Sequence, residues 1–229
     1  MKKRTVRQWL GIILPGLCAF MASVSCGEDG VDGPVDMECT DIVTFEGMEG
    51  RAGVFTFRKV DDSPVVRLTA EGFDAEGVSA GSRMMLRYIP ASGKPYTSGA
   101  VTVTGQAYIT QSQTGTEWAP EYEAWASSPV YVYSIWRSGS YLNMHVRLPY
   151  VAAPRLFGLV ADPSTLADAM PDVYLVHILP DDAVLTFTRE YYASFDLSPV
   201  WDIETVRGIT LHVANSNLDK HIFTFDKAQ

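Results

Sequence analysis

The stretch Val130-Tyr131-Val132-Tyr133-Ser134-Ile135-Trp136-Arg137-Ser138-Gly139-Ser140-Tyr141-Leu142-Asn143-Met144-His145-Val146-Arg147-Leu148 decides the fold class. In its second half, Leu142, Met144, Val146 and Leu148 alternate with Asn143, His145 and Arg147. A period of two places the first set on one face of a half-buried strand and the second on the other. Arg137-Ser138-Gly139-Ser140 before it is a short, glycine-bearing turn, so the whole stretch reads as a β-hairpin. In the first half, Tyr131, Tyr133 and Ile135 share one face, and Val130, Val132 and Trp136 the other. Both faces are apolar. One therefore belongs to a core, and the other is expected to lie under a neighbouring part of the chain.

Working outward, the same signature recurs. Runs rich in β-branched and aromatic residues occur at 41–47, 53–60, 65–70, 83–89 and 101–110, separated by Gly, Pro, Asp and Ser. Beyond the hairpin come 155–160, 173–179, 191–197, 209–214 and 221–225. One short helix is expected over Pro163 to Ala169, with Asp162 as N-cap and Pro163 at the first helical position. No window alternates strands with long helices, which excludes doubly wound and α/β-barrel folds. The chain is expected to be all-β: a small OB-like barrel over 40–121 followed by a β-sandwich over 122–229. The changeover is placed near 122, in the irregular stretch 111–129 that holds Trp118, Pro120, Trp125 and Pro129.

The amino terminus is different in kind. Lys2, Lys3, Arg4 and Arg7 give residues 1–25 a charge of +4 with no acid, and an apolar run from Trp9 to Ala22 follows. Such a run of helix would rise only about 20 Å, short of the ~30 Å hydrocarbon core, so 1–25 reads as a signal peptide. Ser23-Val24-Ser25-Cys26 resembles the lipobox of bacterial lipoproteins, which makes Cys26 the expected lipidated first residue of the mature protein. Residues 26–39 then form a lipidated tether rich in Gly, Pro and acids. The acidic pair Glu28-Asp29 resembles the surface-export signal of Bacteroidetes lipoproteins, so an outer-membrane and cell-surface address is expected.

Several segments together carry a family resemblance. They are Trp136-Arg137-Ser138-Gly139-Ser140-Tyr141-Leu142-Asn143, Tyr192-Ala193-Ser194-Phe195-Asp196-Leu197-Ser198, Gly208-Ile209-Thr210-Leu211-His212-Val213 and Arg83-Met84-Met85-Leu86-Arg87-Tyr88. The sequence resembles the NigD-like lipoproteins of Bacteroidetes, which pair an OB-like barrel with a β-sandwich. The resemblance implies an anchored envelope protein with no established enzymatic activity, and a non-catalytic binding or interaction module is the function expected. A bacteriocin-immunity role is the alternative it implies; a hydrolase is a third reading.

The residues themselves offer little chemistry. The 229-residue chain is 47% hydrophobic and carries a net charge of -9, which disfavours nucleic acid as a partner. The part after residue 25 stands at -13, four charges more negative than the whole. Three cysteines do not make a disulfide scaffold, and with Cys26 lipidated Cys39 is the one remaining mature thiol. Gly77-Val78-Ser79-Ala80-Gly81 matches the nucleophile elbow of hydrolases, but it precedes a strand rather than a helix and reads as a loop. His145, His177, His212 and His221 have no metal-binding spacing, and Asp61-Asp62 and Asp181-Asp182 sit in turns beside Pro64 and Pro180. No catalytic residue, metal ligand or cofactor is expected. The remaining enrichment is aromatic. Trp118, Trp125, Tyr131, Tyr133, Trp136 and Tyr141 cluster around the proposed junction and mark either inter-domain packing or a binding surface for a protein or glycan.

Overall fold

The computed structural model describes residues 37–151 and 155–227. The segment expected to be a signal peptide and Cys26, the expected lipidation site, lie outside the described residues. Five strands close a barrel in the order β1-β2-β3-β5-β4: β1 (Cys39–Glu49), β2 (Ala52–Phe57), β3 (Val66–Glu71), β4 (Arg83–Pro90) and β5 (Gly99–Tyr108). All contacts are antiparallel except β3 with β5, the OB arrangement expected from the sequence. Alternation sends Val43, Phe45, Phe55, Leu68, Met84, Leu86 and Tyr88 inward. Phe45, Phe55 and Phe73 pack as a triad with centroids 4.9 to 5.5 Å apart. A side chain at Gly53 would meet the Phe73 ring at 2.8 Å, which explains the glycine there.

Two four-stranded sheets form the sandwich. One runs β6-β11-β8-β7, with β6 (Thr110–Gln113), β7 (Tyr131–Ser138), β8 (Tyr141–Pro149) and β11 (Thr188–Asp196). The other runs β13-β12-β10-β9, with β9 (Leu156–Ala161), β10 (Asp172–Ile178), β12 (Gly208–His212) and β13 (Ile222–Asp226). Leu142, Met144, Val146 and Leu148 are fully buried between them, beside Leu175, Phe195, Ile209 and Leu211.

Three details differ from the sequence reading. First, the chain enters the sandwich earlier than residue 122: Thr110–Gln113 already pair in parallel with β11, and Gly115 bridges Val160. Thr-Gln-Ser-Gln has no apolar member, so it gave no strand signature. Second, a β-bulge between Val132 and Ser134 shifts the register of β7. Ile135 therefore joins Val132 on the core face, while Trp136 pairs with Asn143 on the outer face. Third, the expected helix at 163–169 is one 3-10 turn, Pro163–Thr165. Its Asp162 cap is as anticipated, with Oδ1 accepting from the Ser164 amide at 2.8 Å. A helical turn at Ser198–Trp201 (α1) and a 3-10 turn at Pro120–Ala124 complete the described elements.

Candidate functional site

The outer face of β7-β8-β11 is the side away from the sandwich core, and the barrel docks on it. Asn143, placed outward by alternation, is nevertheless buried because the barrel covers it. The covering group is Arg83, at the start of β4, itself buried. Its Nε donates to Ser194 Oγ at 2.9 Å, one Nη to Thr44 Oγ1 at 3.0 Å and the other to Asn143 Oδ1 at 3.2 Å. The guanidinium also lies 4.1 Å from the Tyr141 ring centroid. Burial pulls the Arg83 pKa down to about 10, which leaves it charged at neutral pH.

The hairpin tip makes the second half of this joint. Arg137 donates to both carboxylate oxygens of Asp62, at 2.9 and 2.5 Å, and to the Gly139 carbonyl at 2.9 Å. Ser138 Oγ donates to the Arg58 carbonyl at 2.6 Å. The Asp61 amide donates to the Arg137 carbonyl, and the Gly139 amide to the Asp61 carbonyl. Arg58 in turn holds the Ser63 carbonyl. The segment 136–143 thus ties the sandwich to the barrel loop that follows β2.

Beside this joint lies a cleft of about 540 Å³. Ile42, Phe57, Val60 and Met85 line its barrel wall, and Ser134, Trp136, Asn143 and Tyr192 its sandwich wall. Ile42 and Met85 occupy outward positions of their strands, where a free barrel surface would carry polar side chains. At the rim, Asp41 is buried and accepts from the Tyr88 hydroxyl at 2.9 Å, with Lys59 Nζ 3.4 Å away. Desolvation pushes the Asp41 carboxyl above its ordinary range. A second, more open cleft of about 710 Å³ shares Val60 and Trp136 with the first and continues past Arg137 to Thr224, Phe225 and Asp226.

The six aromatics anticipated from the sequence do not converge. Trp118 and Trp125 pack edge-on against Tyr174, on the other sheet. Tyr131 contacts Tyr133, which stacks on His145, which stacks on Tyr192 at 4.2 Å. His145 is thus stacked on both sides, and Tyr133 and Tyr192 each give one ring face to it. Tyr141 lies under Arg83. Trp136 reaches the clefts, where among the described residues it enters no ring pair or hydrogen bond.

The other titratable groups lie at separate places in the fold, with His145 and His212 each paired with one carboxylate. Gly77 and Gly81 adopt φ of +73° and +85° in turns ahead of β4, so the elbow-like motif is a loop. His145 meets Glu190 at 3.0 Å, His212 meets Asp172 at 2.7 Å, and His177 is buried against the Ser128 carbonyl at 2.8 Å. Among the described residues no group of three or more His, Cys, Asp or Glu is placed to hold a metal ion.

No protein-family model and no curated protein matches the sequence. Solved structures do share its fold. A Bacteroides vulgatus protein of unknown function (DUF1344) superposes with a TM-score of 0.67 at 15% identity, over 84% of this chain and 92% of its own. A NigD-like immunity protein from Bacteroides caccae gives 0.55 at 20% identity, over 82% and 91%. A Bacteroides fragilis protein described as a putative lipoprotein gives 0.54 at 12% identity, over 82% and 96%. The barrel-plus-sandwich fold is therefore that of NigD-like and DUF1344 proteins of Bacteroidales, as the resemblance implied.

Proposed function

We propose that this chain is a lipid-anchored protein of the cell envelope whose barrel and sandwich act together as a non-catalytic binding module. Its ligand seat is the cleft at Trp136. The observation that carries this reading is the cleft itself. Its volume of about 540 Å³ falls within the range of ligand sites, and its apolar walls hold a few polar groups. The groups that a hydrolase would need to gather are instead dispersed over loops and separate sheets. Cys26 supplies the anchor, the acidic pair Glu28-Asp29 supports an outer-membrane, surface-facing address, and the Bacteroides fragilis fold neighbour is described as a lipoprotein. An immunity role is the second reading, favoured by the Bacteroides caccae neighbour; the seat would then receive part of a toxin.

The test is capture from envelope extract by the full-length, detergent-solubilised protein, run beside a Trp136→Ala form. A component retained by the wild type and depleted at least tenfold on the variant, with the variant's thermal unfolding unchanged, is the expected outcome. Equal retention by both proteins overturns the assignment of the cleft.

A further inference from the structure

From the groups left unengaged around Trp136 we infer that the seat takes an extended peptide segment bearing a bulky apolar residue followed by a basic one. The inference rests on the binding reading above and names the ligand class of the same site. Three independent features lead to it.

The first is the polar inventory of the cleft. Asn143 is buried at its floor, its Oδ1 held by Arg83, yet its Nδ2 has no hydrogen-bond acceptor. Its cross-strand partner is Trp136, whose indole N–H is also without a partner among the described residues. These donors on paired residues suit an acceptor such as a peptide carbonyl, and for Asn143, which is buried, being left unmatched is costly. Ile42, Phe57 and Met85 opposite them form the wall against which an apolar side chain packs, and methionine adapts to varied shapes.

The second is backbone. β7 and β13 are edge strands of their sheets, and both border the second cleft. The free edge of β7 is covered at Val132 by the Asn217 side chain and at Arg137 by the Asp61 amide. Between these caps, at 133–136, no further backbone hydrogen bond covers the edge among the described residues. Sheet edges of this kind accept extended chains. An acyl chain has no use for them, and a sugar lacks the regular spacing of N–H and C=O groups that matches a strand edge.

The third is charge. Along the second cleft, Arg137 is shared between Asp62 and, at 3.7 Å, the exposed Asp61, while Asp226 is exposed with no salt bridge among the described residues. Lys227 is the opposing cation there, with its Nζ 5.6 Å from the Trp201 ring centroid. On a chain of net charge -9, such a rim attracts a Lys or Arg.

The experiment is anisotropy titration of the full-length protein in detergent with labelled, end-blocked nonapeptides of alternating Val and Thr. One carries a central Phe with Lys two residues on; a second replaces that Lys by Glu; a third replaces the Phe by Gly. The Phe/Lys peptide is expected to bind at least tenfold more tightly than either control. Trp136→Ala and, from the opposite wall, Met85→Glu should each weaken it tenfold or more. Asp226→Lys should erase the preference for Lys over Glu. Equal affinity for the three peptides, or binding of chitotetraose in their place, overturns the inference. If peptides fail while Trp136-dependent capture from envelope extract persists, the peptide class falls and the binding reading stands.

Discussion

At the scale of single residues, position rather than type decides what a side chain does. Trp136 and Tyr141 are both outward-facing aromatics of one hairpin, yet Tyr141 is covered by Arg83 and Trp136 borders open space. The sequence made the aromatic cluster visible but could not separate its members, because the Arg83 that covers Tyr141 is 58 residues earlier in the chain. One readable signal was missed: Ile42 and Met85 are apolar at positions where the barrel's alternation calls for polar side chains. His177 shows what burial does to a titratable group. Desolvation lowers its pKa, while its Nδ1 holds the Ser128 carbonyl at 2.8 Å and its Nε2 has no partner. A depressed folded-state pKa contributes stability above the unfolded value, near 6.5, and loses it as pH falls through the folded one. Urea midpoints should therefore drop between pH 7 and pH 5 in the wild type. His177→Gln should remove most of that slope, and an unchanged slope would assign it to other groups.

At the scale of elements, the strands were legible wherever one face met a core. Leu142, Met144, Val146 and Leu148 are buried as strict alternation requires, and the five barrel strands fall within a few residues of their expected limits. What alternation could not convey was β6, whose four polar residues take their partner from β11, and the bulge in β7, which moves Trp136 to the opposite face. Both depend on partners distant in sequence. The turn of the hairpin carries a sharper constraint. Gly139 sits at φ +62°, and a Cβ there would lie 3.3 Å from the Arg58 Cδ. Left-handed backbone costs a residue with a Cβ about 1–2 kcal/mol, more when β-branched. Gly139→Val is thus expected to lose about 2 kcal/mol in urea unfolding and to speed proteolysis of the loop after β2, which the turn holds. Wild-type stability in this variant would mean that the joint tolerates a reshaped tip.

At the scale of the whole molecule, barrel and sandwich are joined by two buried arginines with different partners. Arg83 engages neutral groups, whereas Arg137 faces a carboxylate from the other side of the joint. The ends of that ion pair are unequal. Arg137 has 2% of its side chain exposed and Asp62 has 40%. Removing the arginine lets Asp62 recover water, and the loss is discounted accordingly, to about 1–2 kcal/mol. Removing the carboxylate strands a charged guanidinium in a dry joint, with only the Gly139 carbonyl, the Trp201 ring and a 3.7 Å approach to Asp61 to compensate. That costs about 3 kcal/mol. Asp62→Ala should therefore destabilise more than Arg137→Ala, and the double variant should resemble Arg137→Ala alone. Coupling between the two bodies can be followed separately. Apart from Trp9, which lies in the expected signal peptide, the tryptophans Trp118, Trp125, Trp136 and Trp201 all follow β5, so in the protein lacking residues 1–25 tryptophan fluorescence reports on the sandwich side, while far-UV circular dichroism reports both. The two signals should coincide during urea unfolding of the wild type and separate in Asp62→Ala, because the barrel then unfolds without the sandwich. Coincident transitions in Asp62→Ala, with a loss no greater than that of Arg137→Ala, would move the coupling to Arg83 and its partners Asn143 and Ser194.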